Sequence, residues 1–199
     1  MSYRDQPLSG FLDTVASNSV TPAGGTSAAL VGAIGTALCE MVCLHTIGKE
    51  EYADVEETMI DVGDELRNQR GQLLDLADKD GEVVEELLAA SRDDTTQPIA
   101  LKKATGVPLS IAEGCLSVLK RATVVTKHGN RNAVPDAVTG SILVNAALQA
   151  SLFTVRTNLR HLSDAAFSAQ MEPQVAEIQR AADIEFERII GPFDSGLRD

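Results

Sequence analysis

One stretch of the chain, residues 20–52, constrains the fold more than any other. It reads VTPAGGTSAALVGAIGTALCEMVCLHTIGKEEY, and most residues from Thr26 to Thr36 are Ala, Gly, Ser or Val. Side chains this small give a helix little girth, so neighbouring backbones can approach it closely. The pattern predicts a helix over about residues 25–47 at the centre of a helical bundle.

Both ends of this predicted helix carry groups that can meet a ligand. Gly24 and Gly25 leave backbone N–H groups uncovered at its start, and uncovered amides at a helix N-terminus favour anions. Gly48 predicts the end of the helix, and Lys49 and Tyr52 follow with a cation and a phenol. A buried helix with a solvated end explains the same segment, and spacing alone favours that explanation. The glycines match neither a phosphate-binding loop nor a dinucleotide fingerprint, since no strand precedes them.

The rest of the chain also has helical periodicity. Apolar residues recur at helical spacing over residues 8–15, 51–78, 99–126, 134–164 and 173–190. A break near Asp80 and Gly81 starts a further helix, and Pro108 predicts a kink. Alternation with a period of two is nowhere sustained, and no repeat or interdomain linker is visible. The sequence therefore predicts an all-α, single-domain bundle of long helices over residues 1–199.

Composition and charge exclude several classes of protein. With 199 residues, 44% of them hydrophobic, the chain can bury one aliphatic core. Aromatic residues make up 4% and Trp is absent, so stacking platforms for single strands are few. Because 17 basic residues face 29 acidic ones, no broad basic surface is available for duplexes, and we expect no nucleic-acid partner. The net charge of −12 fits either a salt-adapted protein or an ordinary acidic one, which a need for molar salt in folding would separate.

The cysteines and the start of the chain bear on compartment and membrane. Cys39, Cys43 and Cys115 lie in apolar helical stretches, which indicates buried thiols in a reducing cytoplasm rather than a disulfide framework. No His or Cys pair is spaced to complete a metal site with the first two, so we expect no metal. The polar start MSYRDQPLSG lacks the apolar core of a signal peptide. Residues 23–39 are uncharged but only weakly apolar, so we expect no membrane span.

A second polar cluster, KHGNRNAVPDAVTG, occupies residues 127–140. Within an acidic chain, Lys127 and Arg131 belong to a local basic patch beside Asn130 and Asp136. An anion can be held there while Asp136 performs proton chemistry. A cation at a helix end and an aspartate in a first helical turn are also ordinary capping features. Spacing alone favours capping.

A resemblance changes the balance between these interpretations. The segments FLDTVAS, TPAGGTSAALVGAIGTAL, MVCLHTIGKEEY, GNRNAVPDA and VRTNL occur in that order from residue 11 to residue 159. This set resembles the C-terminal family of formiminotransferase-cyclodeaminases, which includes stand-alone methenyltetrahydrofolate cyclohydrolases. Ala23 and Thr26 stand where that family usually has Gly and Ser, and Pro135 and Thr154 also depart from its pattern. The resemblance implies an all-helical fold, a homodimer, and a tetrahydrofolate derivative as substrate with no further cofactor.

The same resemblance implies roles for individual residues. Asp136 would act as the general base on the attacking water, and Lys49 would adjust its charge or protonate a ring nitrogen. The substrate-binding residues that we expect offer amide, hydroxyl or carboxylate groups: Asp13, Gly24, Gly25, Thr26, Tyr52, Asn130 and Asn158. Among them, Asp13 would pair with the amino groups of the pterin, and Asn158 would shape the pocket wall or the dimer.

Three activities remain open on the sequence. A cyclohydrolase needs water activation and ring opening, whereas a cyclodeaminase must expel ammonia from formiminotetrahydrofolate. Asp136 and Lys49 can serve either reaction, and the absence of an attached formiminotransferase domain favours the cyclohydrolase. The third candidate is a helical scaffold without catalysis, which folate binding without turnover would identify.

Overall fold

Helices make up nearly all of the structure. The computed structural model describes residues 2–90 and 96–194, and within them no strand occurs. Six α-helices follow one another: α1 (Leu8–Val15), α2 (Gly24–Leu44), α3 (Glu56–Ala90), α4 (Gln97–His128), α5 (Val134–His161) and α6 (Ala165–Asp194). Short 3-10 helices over Tyr3–Asp5 and Glu50–Val55 precede α1 and α3. The predicted all-α class is confirmed.

The helix α2 lies at the centre of the bundle, where it packs against α3, α4 and α5. A Cβ atom on Gly35 would overlap the carbonyl oxygen of Gly140, and one on Gly140 would lie 2.5 Å from the carbonyl oxygen of Gly35. Two glycines therefore let the backbones of α2 and α5 touch at this crossing. Gly32 meets Ala147 further along, so α5 runs antiparallel to α2. The central helix of small residues is confirmed.

The core is aliphatic, as composition predicted. Its largest fully buried side chains come from every long helix: Met59, Leu66 and Leu73 of α3, Ile111 and Leu119 of α4, Leu148 and Leu152 of α5, Ile189 of α6, and Val42 of α2. Burial of each large aliphatic side chain contributes about 1.5–3 kcal/mol relative to exposure. This packing, rather than local helix propensity, holds the long helices in place.

The break predicted near Asp80 and Gly81 does not occur, and that prediction is wrong. The helix α3 runs without interruption through both residues. The Asp80 carboxylate turns into the bundle, where it accepts a hydrogen bond from the Thr26 hydroxyl at 2.8 Å. Gly81 leaves room for the ring of Tyr3, whose hydroxyl oxygen would lie 2.7 Å from a Cβ atom at that position. The two residues serve tertiary contacts instead of ending a helix.

The start of the last helix was also predicted wrongly. The helix α6 begins at Ala165, and Pro173 lies inside it rather than at its first turn. A cap that the sequence analysis did not recognise explains the earlier start. The Oδ1 atom of Asp164 accepts a hydrogen bond from the backbone N–H of Phe167 at 3.0 Å, which satisfies one of the free donors of the first turn.

Other helix boundaries shift by a few residues. The helix α2 ends at Leu44, and the turn after it reaches Gly48, whose φ of +76° favours glycine. The segment predicted as helix from residue 51 begins as the 3-10 helix Glu50–Val55, and α5 ends at His161 rather than at residue 164. The helix α4 continues through Pro108, and a kink there stays a prediction.

The outer sides of α2 and α5 are unusually apolar. In the described part of the chain, only these two helices are long and apolar enough to cross a membrane, and 56% and 44% of their most apolar stretches are buried in the bundle. Large apolar side chains remain exposed on both: Ile34 and Leu44 of α2, and Ile142 and Phe153 of α5. We call this surface the α2–α5 face. Packing within the chain therefore leaves large apolar side chains of this face exposed.

Candidate functional site

Asn130 ties the connection before α5 to the end of α2. Its backbone N–H donates to the Thr46 hydroxyl at 2.9 Å, and its side-chain amide donates to the carbonyl oxygen of His45 at 2.9 Å. Its side-chain oxygen accepts the backbone N–H of Asn132 at 3.0 Å. With 2% of its surface exposed, Asn130 positions the connection, and its predicted contact with substrate stays a prediction.

Three more of the predicted residues lie close to this connection in the fold. Lys49 is exposed, and its carbonyl oxygen accepts the backbone N–H of Tyr52 at 2.9 Å. The Tyr52 hydroxyl accepts the backbone N–H of Arg131 at 3.0 Å, so its own proton is available for another acceptor. Asp136 is exposed in the first turn of α5. We call this region, where α2 and α4 end and α5 begins, the Lys49 end.

An open cleft of about 490 Å³ lies at the Lys49 end. Its lining includes the basic residues Lys127 and Arg131 together with the acidic residues Glu51 and Asp54. The basic patch of the sequence is therefore mixed in charge once the chain is folded. Such a cleft suits a ligand with polar groups of both kinds more than a simple anion.

The opposite end of α2 holds a buried carboxylate that the sequence analysis did not select. Asp80 is 3% exposed, and its Oδ2 atom accepts the Thr26 hydroxyl at 2.8 Å. A Cβ atom on Gly25 would lie 2.7 Å from the Asp80 Cγ atom, so only glycine leaves room for the carboxylate. Burial raises the pKa of Asp80, and hydrogen bonds from the hydroxyl and backbone of Thr26 offset part of that rise. We call this region the Asp80 end.

This arrangement bears on the anion site predicted at the start of α2. The Asp80 carboxylate already lies against Thr26 and receives its hydroxyl and backbone hydrogen bonds. A second anion at the same place would meet a like charge. Gly24 is exposed, with no atom within 4 Å of its Cβ position. Binding of substrate by Gly24, Gly25 and Thr26 stays a prediction, for which Gly24 has the freest approach.

Acidic side chains surround the Asp80 end. The backbone N–H of Tyr3 donates to Asp78 at 2.6 Å, and the Thr21 hydroxyl donates to Glu85 at 3.1 Å. A cavity of about 300 Å³ opens between Tyr3, Asp78, Glu82 and Glu85. Burial raises the pKa of Tyr3, which keeps its phenol protonated. The surroundings favour a cationic group over an anionic one.

Two other predicted residues lie toward the Asp80 end. Asp13 is exposed on α1. The side-chain amide of Asn158 donates to the carbonyl oxygen of Ala104 at 2.9 Å and so joins α5 to α4. Its neighbour Arg156 reaches Gln179 at 3.4 Å. These contacts tie both side chains to neighbouring helices, and the role expected for Asn158 in the pocket wall or the dimer stays a prediction.

The fold of this chain does not bring all predicted site residues together. The helix α2, with 21 residues, spans about 31 Å and separates the two ends. The Lys49 end has Lys49, Tyr52, Asn130 and Asp136, and the Asp80 end has Asp13, Gly24, Gly25, Thr26 and Asn158. A single small ligand cannot contact both sets in one protomer.

Asp80 was missed because the sequence analysis treated it as a helix break. A signal was present in the register of α3. Leu66 and Leu73 are fully buried and lie one heptad apart, and Asp80 follows at the same interval. An aspartate at a core position of an amphipathic helix needs a partner inside the bundle, and this register would have indicated one.

The three cysteines are buried thiols and form no metal site in the described part of the chain. Cys39, Cys43 and Cys115 are free and buried as predicted, and burial raises the pKa of each to about 12. Within residues 2–90 and 96–194, no group of three or more His, Cys, Asp or Glu side chains is placed to hold a metal ion. The cytoplasmic location inferred from the cysteines stays a prediction.

A small all-α domain with polar clusters at both ends of one glycine-rich helix is the class that this fold and site define. A family model described as formiminotransferase-cyclodeaminase matches residues 7–177. The chain belongs to that family. The family resemblance found in the sequence motifs is thereby confirmed.

Individual relatives include enzymes of two names. Over 197 residues the chain is 32% identical to the methenyltetrahydrofolate cyclohydrolase of Methylorubrum extorquens. The matched region covers 93% of this chain and 94% of that protein. It is 27% identical to the formimidoyltransferase-cyclodeaminase of Sus scrofa, of which it spans 36%. The crystal structure of formiminotetrahydrofolate cyclodeaminase from Thermotoga maritima superposes with a TM-score of 0.94 at 29% identity, with 98% of each chain covered.

Proposed function

We propose that this protein is a methenyltetrahydrofolate cyclohydrolase, which hydrolyses methenyltetrahydrofolate to formyltetrahydrofolate. The observation that carries the proposal is the end-to-end similarity to the Methylorubrum extorquens cyclohydrolase at 32% identity. The formimidoyltransferase-cyclodeaminase of Sus scrofa is 27% identical over 192 residues. The higher identity therefore favours the cyclohydrolase.

The reaction makes two demands on the protein. The bridging carbon of the substrate is a cationic, amidine-type centre. Water adds its oxygen to that carbon, one carbon–nitrogen bond breaks, the released nitrogen takes up a proton, and the formyl group stays on the other nitrogen. A base must accept a proton from the water, and a negative charge near the bridging carbon stabilises the cation.

The negative charge of the Asp80 end supports a role in binding the cationic substrate. Asp78, Asp80 and Glu85 place carboxylates around the start of α2, and such an environment favours a cationic substrate over a neutral product. The raised pKa of Asp80 brings its proton exchange closer to neutral pH, where acid–base catalysis is most effective. Asp80 therefore joins Asp136 as a candidate for proton transfer.

The Lys49 end supplies the other proton-transfer groups. Asp136 is exposed, so water has access to the carboxylate that we assign as the general base. The Tyr52 hydroxyl keeps its own proton available, because it accepts the Arg131 backbone N–H. Lys49 can protonate the nitrogen that leaves. Asn130 acts indirectly by fixing the connection that carries Arg131 and leads to Asp136.

A homodimer reconciles the two separated ends. The α2–α5 face is apolar and exposed, which is typical of a surface that another chain covers. A twofold axis perpendicular to α2 sets the two copies of this helix antiparallel. The Lys49 end of one copy then lies against the Asp80 end of its partner. Each shared site would contain both sets of residues.

Formiminotetrahydrofolate cyclodeaminase activity is the second candidate, and one observation favours it. The Thermotoga maritima protein named for that activity has nearly the same fold, with a TM-score of 0.94. Its reaction expels ammonia, so an acid must protonate the leaving amine. We assign Lys49 and Tyr52 as the donors of that proton, and the same groups therefore suit either reaction.

The absorbance of methenyltetrahydrofolate tests the proposal directly. We expect the protein to accelerate its decay beyond spontaneous hydrolysis, and we expect Asp136→Asn to lower kcat by about 10²–10⁴-fold. Asp61→Asn, which removes an exposed carboxylate of α3, is the matched control and should leave kcat unchanged. Parallel assays in low and molar salt test whether the acidic composition reflects salt adaptation.

Two results would count against the cyclohydrolase. A folded protein that does not accelerate the decay but releases ammonia from formiminotetrahydrofolate is a cyclodeaminase. A folded protein that binds folates and turns over neither substrate is a scaffold.

A further inference from the structure

The first helix, α1, is nearly separate from the bundle. Phe11 is its one buried residue, and the Phe11 ring meets the Tyr3 ring edge-to-face with centroids 5.9 Å apart. Leu8, Leu12 and Val15 are 67%, 53% and 39% exposed. Their spacing of four and three residues places them on one face of the helix. Within the described residues, this apolar stripe has no cover.

The attachment of α1 shows where it projects. Tyr3 binds Asp78 through its backbone and packs on Gly81, so the start of the chain is fixed to α3. After α1, the Thr21 hydroxyl binds Glu85 of the same helix. Both anchors lie at the Asp80 end. The helix α1 therefore extends from that end, with its apolar stripe facing solvent.

The area of the α2–α5 face gives α1 a role in a dimer. Two adjacent helices of this length present a face of roughly 20 Å by 30 Å, or about 600 Å² in each copy. The total of about 1,200 Å² is at the lower limit for a stable interface. A further apolar stripe from each copy would enlarge the interface beyond that limit and cover exposed leucines.

We propose that α1 packs on the partner copy, with its apolar stripe against the exposed Leu44 at the end of the partner's α2. This inference rests on the homodimer of the proposed function. The twofold arrangement sets the Asp80 end of one copy against the Lys49 end of the other. Because α1 projects from the Asp80 end, it reaches the partner's Lys49 end rather than the Lys49 end of its own chain.

Charge supports the same placement. Asp13 is the one charged residue of α1 and follows Leu12 of the stripe. Within residues 2–90 and 96–194, neither Asp13 nor Lys49 has an ion-pair partner. Exchange of α1 brings these opposite charges to the same region. Asp13, expected to bind substrate, would then serve the site of the partner copy.

Cysteine cross-linking tests this arrangement without any assay of activity. One chain carries Leu12→Cys and a second, tagged chain carries Leu44→Cys, and the two are produced together and oxidised mildly. The native thiols do not compete, because all three are buried with a raised pKa. In the control pair, Ile184→Cys takes the place of Leu44→Cys. Ile184 is about as exposed as Leu44, at 54% against 53%, but it lies on α6.

We expect a covalent heterodimer from the first pair in about tenfold or greater excess over the control, because thiols held together react at a high effective concentration. An internal disulfide in a Leu12→Cys/Leu44→Cys double variant, with no covalent dimer, would show that α1 folds onto its own chain. A protein that is dimeric by light scattering but forms neither cross-link would also overturn the exchange. Binding of the apolar stripe to phosphatidylcholine vesicles, detected by sedimentation, would overturn it as well. The cross-linking needs no substrate, so an inactive protein gives the same cross-links. Failure of the enzymatic proposal is therefore distinguishable from failure of the α1 exchange.

Discussion

At the scale of single residues, Asp80 and Gly25 depend on each other. A buried carboxylate is costly unless hydrogen bonds compensate for the lost water, and Thr26 supplies two of them. The absent side chain of Gly25 supplies the space. The glycine that the sequence presented as a ligand-binding amide therefore also accommodates an internal acid.

Gly25→Ala should destabilise the protein by about 1–3 kcal/mol, because its methyl group must displace the buried Asp80 carboxylate. Gly24→Ala is the matched control: its Cβ position has no neighbour within 4 Å, so a change of about 0.5 kcal/mol or a slight stabilisation is expected. Urea unfolding of the two variants measures both values. Equal stability would contradict the steric argument.

The raised pKa of Asp80 predicts a pH-dependent stability. The folded protein keeps the Asp80 proton to higher pH than the unfolded chain, so its contribution is fully present below the ordinary aspartate pKa of about 4 and is lost as pH rises through the raised value. Asn cannot ionise. The free energy of unfolding of the wild type minus that of Asp80→Asn should therefore fall as the pH rises above about 4, as urea titrations at several pH values would show. A difference independent of pH would contradict the raised pKa.

At the scale of elements, helix centres were predictable and helix ends were not. The local pattern of small and apolar residues predicted where α2 and α5 lie along the chain. Asp164 caps α6 through a local hydrogen bond to Phe167, three residues away, so the signal for this helix start lies in the sequence itself. The heptad register of Leu66, Leu73 and Asp80 indicates locally that α3 continues through Asp80, but the partner of the buried carboxylate, Thr26, is distant in sequence.

Asn130→Ala should destabilise the protein by about 1–3 kcal/mol, because Asn130 is 2% exposed and its side chain holds both the His45 carbonyl and the Asn132 amide. Asn132→Ala is the control, since its side chain is exposed and its backbone N–H is retained; a change within about 0.5 kcal/mol is expected. Thermal unfolding compares the two. Similar melting temperatures would assign Asn130 a role other than positioning.

At the scale of the whole molecule, the length of α2 decides how a site can be built. Its two ends lie about 31 Å apart, and the candidate residues divide between them. The exposed α2–α5 face offers the surface on which a second copy can bring the ends together. A shared site would make activity depend on protein concentration.

Mixing two inactive variants tests the shared site. Asp80→Asn and Asp136→Asn impair opposite ends, so a mixed dimer has one intact site and one doubly altered site. If random pairing makes about half of the dimers mixed, about a quarter of the wild-type activity should return. Asp80→Asn re-paired with itself is the control. Absence of recovery in dimers shown to be mixed would place each complete site within one chain.

The sequence by itself determined that the chain is all-α, that a small-residue helix forms its centre and that its motifs resemble one family, because each depends on local periodicity and composition. Tertiary structure alone decided which polar groups meet. Asp80 joins Thr26 across 54 positions of sequence, and Tyr52 meets Arg131 across 79. The packing of the long helices determines such pairs. Local sequence does not predict which distant segment supplies the partner of a buried or hydrogen-bonded group.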